Sequence, residues 1–309
     1  MPELPEVEVI CRGLRAVLPG RVITEIDVLN QGSFFEYEKL SAGVLVGSEI
    51  KAISRRGKLI IIDLLDEQAS AWCLLIHLRM TGQLIFRNLD TDGAPANSKP
   101  ADSGFAGGWP AQSLIGEMPD KSTRLIVEFS DGSHLYFNDQ RKFGYFKLVP
   151  AEQLEHEDFL VRLGPEPLDA DFDWRLLRKR LQPDSQRLYK RSIKAALLDQ
   201  ETIAGVGNIY ADESLFMARI NPQRNVSSLT VPELKRLCSA LRERLTCSID
   251  AGGSTARNYV DAMGLRGEYL DRHAQVYNRA GLQCLRCGSE LIKTRVAGRG
   301  TVICPKCQK

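Results

Sequence analysis

The tightest constraint on this 309-residue chain lies at its far end. Cys284, Cys287, Cys304 and Cys307 form two C-x2-C pairs with sixteen residues between them. That spacing is read as a metal site in a reducing compartment and not as a disulfide framework. Four thiolates at about 2.3 Å from Zn²⁺ close a tetrahedral shell with no open position, which suits folding and not catalysis. The expected cofactor is therefore one structural Zn²⁺. Between the knuckles, Leu291–Thr294 and Thr301–Ile303 read as a short hairpin around the Gly- and Arg-rich turn Arg295-Val296-Ala297-Gly298-Arg299-Gly300. The metal would stiffen a tip that carries Arg299. The other cysteines, Cys11, Cys73, Cys238 and Cys247, are scattered and are expected to be buried thiols.

The opposite end has its own chemistry. The chain begins Met1-Pro2-Glu3-Leu4-Pro5-Glu6. A small second residue permits removal of the initiator methionine, which would leave Pro2 as a free secondary amine. An α-amino group titrates near pH ~8, so part of it is uncharged and nucleophilic at neutral pH. Attack on a sugar carbon would give an iminium ion, a fixed electron sink of the kind lysine Schiff bases provide. Glu3 is adjacent and Glu6 lies one turn on, so both are candidate proton carriers. The same residues also fit an ordinary helix start, where proline and acids are favoured by geometry and by the helix dipole.

Between these ends the pattern changes once. Pro5 to Leu18 reads as a helix with Val7, Ile10, Leu14, Val17 and Leu18 on one stripe, stopped by Pro19-Gly20. Val22–Leu29, Glu49–Ser54, Lys58–Leu65, Ala71–Leu78, Gln83–Phe86, Leu125–Phe129, His134–Phe137 and Phe143–Val149 read as strands, punctuated by glycines. Six to eight strands behind one helix predict a β-sandwich over residues 1–150. Residues 87–120 show no period and read as an insertion. An acidic run over 151–173 reads as a linker. Helices are expected at Trp174–Leu181, Ile193–Leu198, Ile209–Met217 and Pro232–Ser248, within a helical domain over 174–278 that precedes the finger at 279–309. Gly205-Val206-Gly207-Asn208 places two glycines before a helix, where backbone N–H groups can approach an anion. The fold class is α+β.

Composition adds two points. Net charge is only +2, but Arg175 to Lys194 holds eight basic residues against Asp184 alone. Arg279 to Lys309 holds seven against Glu290. Such patches are the footprint of phosphate binding. No apolar run approaches the ~20 residues that span a bilayer, and no basic-then-apolar leader opens the chain. A cytoplasmic, nucleoid-associated monomer is expected.

Six stretches in order resemble the formamidopyrimidine-DNA glycosylases. They are Met1-Pro2-Glu3-Leu4-Pro5-Glu6-Val7-Glu8, Arg56-Gly57-Lys58, His77-Leu78-Arg79-Met80-Thr81-Gly82, Asp139-Gln140-Arg141-Lys142-Phe143-Gly144, Gly205–Tyr210 and the terminal cysteines. The resemblance covers Pro2 to Lys309 apart from 87–120. It implies a β-sandwich, a helix–two-turn–helix domain and a zinc finger. It also implies a bifunctional glycosylase and abasic-site lyase of base excision repair, with double-stranded DNA carrying oxidised purines or abasic sites as partner.

By resemblance Pro2, Glu3, Lys58 and Arg299 are catalytic and Glu6 supports them. Met80, Arg141 and Phe143 fill the void left by a flipped base, and Asn208, Lys190, Arg191 and Arg124 contact DNA. Two departures stand out. Lys121-Ser122-Thr123-Arg124 occupies a place where relatives often carry histidines, so a phosphate contact there is expected to be lost or to move to Lys121 or Arg124. Lys142 replaces the second arginine of a usual pair, which keeps charge but loses the planar fork. The rival readings are an endonuclease VIII-type enzyme for oxidised pyrimidines and a non-catalytic lesion-binding protein.

Overall fold

The computed structural model describes residues 1–38, 40–88, the backbone of 105–108, and residues 117–181, 191–254 and 267–309. The chain divides into two compact units, Met1–Val161 with Gly252–Gly267, and Arg162–Ala251 with Glu268–Lys309.

The first unit opens with helix α1, Leu4–Val17. Its start is fixed by a capping box, in which the Glu3 side chain accepts the Glu6 N–H and the Glu6 side chain accepts the Glu3 N–H. Both orphan donors of the first turn are thus satisfied within four residues. Leu4, Val7, Ile10, Cys11 and Leu14 form the buried face. Among the described residues ten strands follow in two sheets, ordered β1-β8-β9-β6-β7 and β2-β10-β5-β4-β3. The spans are β1 Ile23–Asp27, β2 Phe34–Phe35, β3 Glu49–Arg56, β4 Leu59–Leu65, β5 Ala71–His77, β6 Gly82–Arg87, β7 Phe105–Gly108, β8 Thr123–Phe129, β9 His134–Asp139 and β10 Tyr145–Pro150. One core joins the inner faces of both sheets to α1, through Ile10, Leu14, Ile60, Ile62, Leu84, Phe86, Phe137 and Phe146 among others. Each such side chain contributes about 1.5–3 kcal/mol on burial.

Two expectations are corrected here. Phe105–Gly108, inside the stretch expected to be an aperiodic insertion, is strand β7 and pairs antiparallel with β6, Ile85 opposite Ala106. The sequence Phe-Ala-Gly-Gly carries no alternation that could reveal it, because the pairing is made by backbone groups. The acidic run after Pro150 is not a bare linker. Ala151, Leu154, Phe159 and Leu160 cover the outer face of the second sheet over Leu59, Ile61, Cys73, Leu75 and Val149.

The second unit is built on helices α2 Trp174–Leu181, α3 Ile193–Leu198, α4 Asn208–Ala218 and α5 Val231–Asp250. A second capping box, Thr230 with Glu233, starts α5. The finger hairpin, β11 Ile292–Val296 and β12 Arg299–Ile303, packs with this unit: Cys284, Cys304, Leu291 and Val302 share a cluster with Phe216 of α4 and with Val276. Finger and helices share one compact unit. No helix among the described residues is long and apolar enough to cross a membrane.

Candidate catalytic terminus and nucleic-acid interface

Pro2, Glu3 and Glu6 are all buried, while Met1 is 55% exposed. Glu6 has a double task. One carboxylate oxygen accepts the Glu3 N–H at 2.8 Å. The other accepts the Ser254 N–H at 2.9 Å. One side chain therefore ties the segment before α1 to a distant loop. Ser254 was not singled out from sequence, and the only signal was the preceding Gly252-Gly253, both at positive φ (73° and 91°).

Lys58 follows Gly57 in the turn between β3 and β4, one residue before the strand expected to hold it, and is only 6% exposed. The contacts of α1 along β3 show where the helix start is led. Arg15 donates to the Ile53 carbonyl (2.8 Å), the Cys11 thiol to the Ser54 carbonyl (3.6 Å), and Arg55 pairs with Glu8 (3.2 Å). Going toward the N-terminus of α1 thus means going toward the Gly57-Lys58 turn. Arg55 completes the step by donating to the Gly57 carbonyl at 2.8 Å. The Arg15 and Arg55 guanidiniums hold the Glu8 carboxyl below the usual range in spite of its burial. Glu8 and Arg55 are positioning residues that sequence reasoning missed, since charges on a helix and a strand end read as solvated faces.

His77 is a further addition. It ends β5 opposite Leu59, and its Nδ1 accepts the Arg79 N–H at 3.0 Å. Burial, with the charges of Arg79 and Lys58, pushes its imidazole down to about 3. It is neutral at physiological pH, with its proton on Nε2, because Nδ1 is an acceptor.

Met80, Arg141 and Phe143 converge because of sheet register. β5 and β10 belong to one sheet and β6 and β9 to the other. His77 stands opposite Tyr145, and Gly82 stands opposite Asp139. The crossovers 78–81 and 140–144 therefore leave and enter paired positions, and they run side by side. Met80 (43% exposed) and Phe143 (53%) project from them. Arg141 donates to the Met80 sulfur at 2.9 Å, and its guanidinium lies 4.8 Å from the Phe143 ring centroid. Arg79 and Lys142 both have positive φ (51° and 57°), a conformation few side chains adopt unless the surroundings impose it. Large apolar side chains kept exposed on imposed turns point to an interaction and not to a core.

Arg124 lies beneath these loops. It donates to the carbonyls of Asp139 (2.8 Å), Lys121 (3.1 Å) and Thr123 (3.2 Å). Its guanidinium braces the crossover through these carbonyls.

In the second unit Asn208 opens α4 behind Gly207 and donates to the Gly300 carbonyl at 3.2 Å. Gly300 also accepts from Lys194 at 3.2 Å, and Lys194 donates to the Thr301 hydroxyl at 2.6 Å. Lys194 is fully buried and paired with Asp212 at 2.6 Å. Burial pushes the Asp212 carboxyl up to about 6, with Lys194 pulling the other way. Glu213, next along α4, is buried and accepts three backbone N–H groups, from Gln275, Val276 and Tyr277. Arg191 pairs with Asp199 (2.7 Å) and donates to Thr202 (2.6 Å) in an internal turn. Lys190 lies outside the described residues, as do 255–266.

Arg299 is exposed at the hairpin tip, where Ala297 and Gly298 (φ 51° and 73°) form the two-residue turn that right-twisted strands favour. The four finger sulfurs lie within 4.8 Å of one another. Cys284–Cys307 is 4.0 Å and Cys287–Cys304 is 3.5 Å. A tetrahedron with Zn–S bonds near 2.3 Å has edges of about 3.8 Å, so the set fits one zinc ion.

Comparison with known proteins agrees with this geometry. Three family descriptions match: the formamidopyrimidine-DNA glycosylase N-terminal domain over residues 1–146, its H2TH domain over 163–260, and the zinc finger found in FPG and IleRS over 281–309. The formamidopyrimidine-DNA glycosylase of Desulfitobacterium hafniense is 40% identical across the whole of both chains. That of Pelotomaculum thermopropionicum is 38% identical over 100% of this chain and 99% of its own. Among solved structures, wild-type Lactococcus lactis Fpg with N7-benzyl-Fapy-dG-containing DNA superposes with a TM-score of 0.81 at 34% identity, covering 100% of both chains. The Lactococcus lactis Fpg complex with abasic-site DNA gives 0.78 at 33% identity and 99% coverage of each. With its capped terminus, its paired crossovers and its zinc-stapled hairpin, the chain belongs to the formamidopyrimidine-DNA glycosylase family.

Proposed function

We propose that this chain removes oxidised purines, such as 8-oxoguanine and formamidopyrimidines, from duplex DNA and then nicks the strand through a covalent intermediate on Pro2. Loss of Met1 uncovers the imino nitrogen. Its lone pair attacks C1′ of the sugar, the glycosidic bond breaks, and the base leaves with the bonding electrons and a proton. Glu3, held at the start of α1, exchanges protons with the opening sugar. The resulting iminium acidifies the C2′ proton, whose loss expels the 3′ phosphate in β-elimination. A further elimination releases the 5′ phosphate. Lys58 supplies positive charge to phosphate and assists proton transfer, and neutral His77 offers an N–H donor nearby. Arg299 serves the later elimination.

Flipping a base out of the stack costs a few kcal/mol. Met80 and Phe143 enter the gap as apolar wedges and Arg141 meets the orphaned base. In the second unit Asn208, at the start of α4, contacts backbone phosphate.

The observation that carries this reading is the route of α1. Its capped start, with Pro2 and Glu3, is led along β3 to the Lys58 turn by the Arg15, Cys11 and Glu8 contacts. Borohydride added during reaction with an 8-oxoguanine duplex traps a protein–DNA adduct, and Pro2→Gly loses most of it. Correctly processed protein that binds the duplex but gives no adduct would leave a lesion-binding protein. Faster processing of thymine glycol than of 8-oxoguanine would move the chain to the pyrimidine-directed enzymes.

A further inference from the structure

The two crossovers meet on one group that the chemistry above does not use. Asp139 ends β9 and is completely buried. One carboxylate oxygen accepts the Thr81 hydroxyl and the Arg141 N–H (3.1 Å). The other accepts the N–H groups of Phe143 (2.8 Å) and Gly144 (2.6 Å). The Thr81 oxygen itself accepts the Arg141 N–H at 3.1 Å, which closes the link between the loops. Three amides of a five-residue loop thus turn inward onto a single carboxylate, and the fourth donor comes from the neighbouring crossover.

We propose that Asp139 is a positioning residue that couples the two crossovers, so that Met80, Arg141 and Phe143 enter the base stack as one preformed unit. The inference rests on the glycosylase reading above and deepens it. Two of the amides bound by Asp139 are those of Arg141 and Phe143, the residues that flank the left-handed Lys142. Reversal of the chain at Lys142 brings the Arg141 guanidinium over the Phe143 ring. Fixing both flanking amides holds that reversal. The close fit extends to Gly144, where an added Cβ would lie 2.7 Å from the Phe137 ring and 3.2 Å from the Asp139 carboxylate. A buried anion satisfied by four hydrogen-bond donors needs no cation, and its charge-assisted bonds are stronger than neutral ones. A wedge held this way reaches DNA with its ordering already done, as preorganised binding surfaces do.

Asp139→Asn separates the possibilities, because it keeps volume but replaces one acceptor oxygen with an NH2 group, which in either orientation faces at least one backbone N–H donor. Two substrates are compared: an 8-oxoguanine duplex with 2-aminopurine beside the orphaned base, and a single strand carrying an abasic site. The single strand has no partner base and no stack to refill. Excision from the duplex is expected to fall at least tenfold, together with the 2-aminopurine signal of wedge entry, while nicking of the single strand stays within twofold. Thr81→Val, which removes only the bridging hydroxyl, is expected to give a smaller loss confined to the duplex, and it preserves the test if the asparagine variant does not fold. Equal loss on both substrates, or no loss on either, would overturn the coupling. If the wild-type protein acts on neither substrate, the glycosylase reading falls first and takes the coupling with it, an outcome seen before any variant is made.

Discussion

Two exposed tips in this molecule are made rigid by opposite means. The 140–144 crossover is held from inside by one buried carboxylate that gathers backbone amides. The β11–β12 tip is held from its base by four thiolates, and from one side by buried Lys194 with Asn208, both donating to Gly300. The first device uses a single residue and fails if that residue changes. The second spreads the load over a metal and a polar network. The crossovers that expose Met80 and Phe143 place Arg79 and Lys142 at positive φ. The hairpin tip also places one non-glycine residue, Ala297, at positive φ, beside Gly298.

The largest test of this contrast is removal of the metal. Zinc binding to such sites contributes on the order of 10 kcal/mol to folding. Because Cys284 and Cys304 sit in one cluster with Phe216 and Leu291, a chelator is expected to melt the second unit and not only its finger. The measurement is metal content alongside hydrogen exchange. Amides of α4 should lose protection with the metal while those of 140–144 keep theirs. A second unit that still melts cooperatively after zinc is stripped would show that the helices alone carry it.

Next in size is Lys194→Met. It leaves the Asp212 carboxyl buried without its ammonium and takes two donors from the hairpin. Breaking a buried pair at one end destabilises by about 3–5 kcal/mol. Urea unfolding should show that loss, and adding Asp212→Leu should recover part of it. A single variant as stable as the parent would mean that the zinc site alone docks the hairpin.

The two tips also differ in how readable they were. Chelation demands four ligands of one kind at fixed spacing, so Cys284 to Cys307 announced both the metal and the hairpin. The helix start near Pro5 was equally plain, because helix starts are local. Met80, Arg141 and Phe143 were found through resemblance, and their convergence followed from the register of four strands that no local pattern prints. Asp139, Glu8 and Arg55 were not found at all as working residues. A carboxylate that collects amides looks like any other aspartate until the fold brings the donors to it. Arg124 and Arg191 show the same limit from the other side: basic residues expected at DNA also make internal hydrogen bonds, Arg124 to backbone carbonyls and Arg191 to the Asp199 and Thr202 side chains. Strand β7 escaped for a related reason, since its pairing is made by the main chain.

The smallest expected effect concerns His77, which holds the first crossover through the Arg79 N–H. That bond requires an unprotonated Nδ1, and the buried ring is held down to about 3. In the unfolded chain a histidine titrates near 6.5. At pH 7 neither state carries the proton, so the group is nearly silent. As pH falls below 6.5 the unfolded chain binds a proton that the native state refuses, and stability drops. The loss continues until the folded value is reached near 3. Between pH 7 and pH 5 this linkage amounts to about 2 kcal/mol. Denaturant midpoints of wild type and His77→Gln, measured at both pH values, isolate it from the carboxylates, which titrate lower. The wild type should lose about 2 kcal/mol more than the variant over that interval. Equal losses would mean that the ring accepts a proton in the native state and that the Arg79 turn is held by the strands and by Asp139 instead. In that case the contrast between the two tips would sharpen, with every restraint on the wedge passing through one carboxylate.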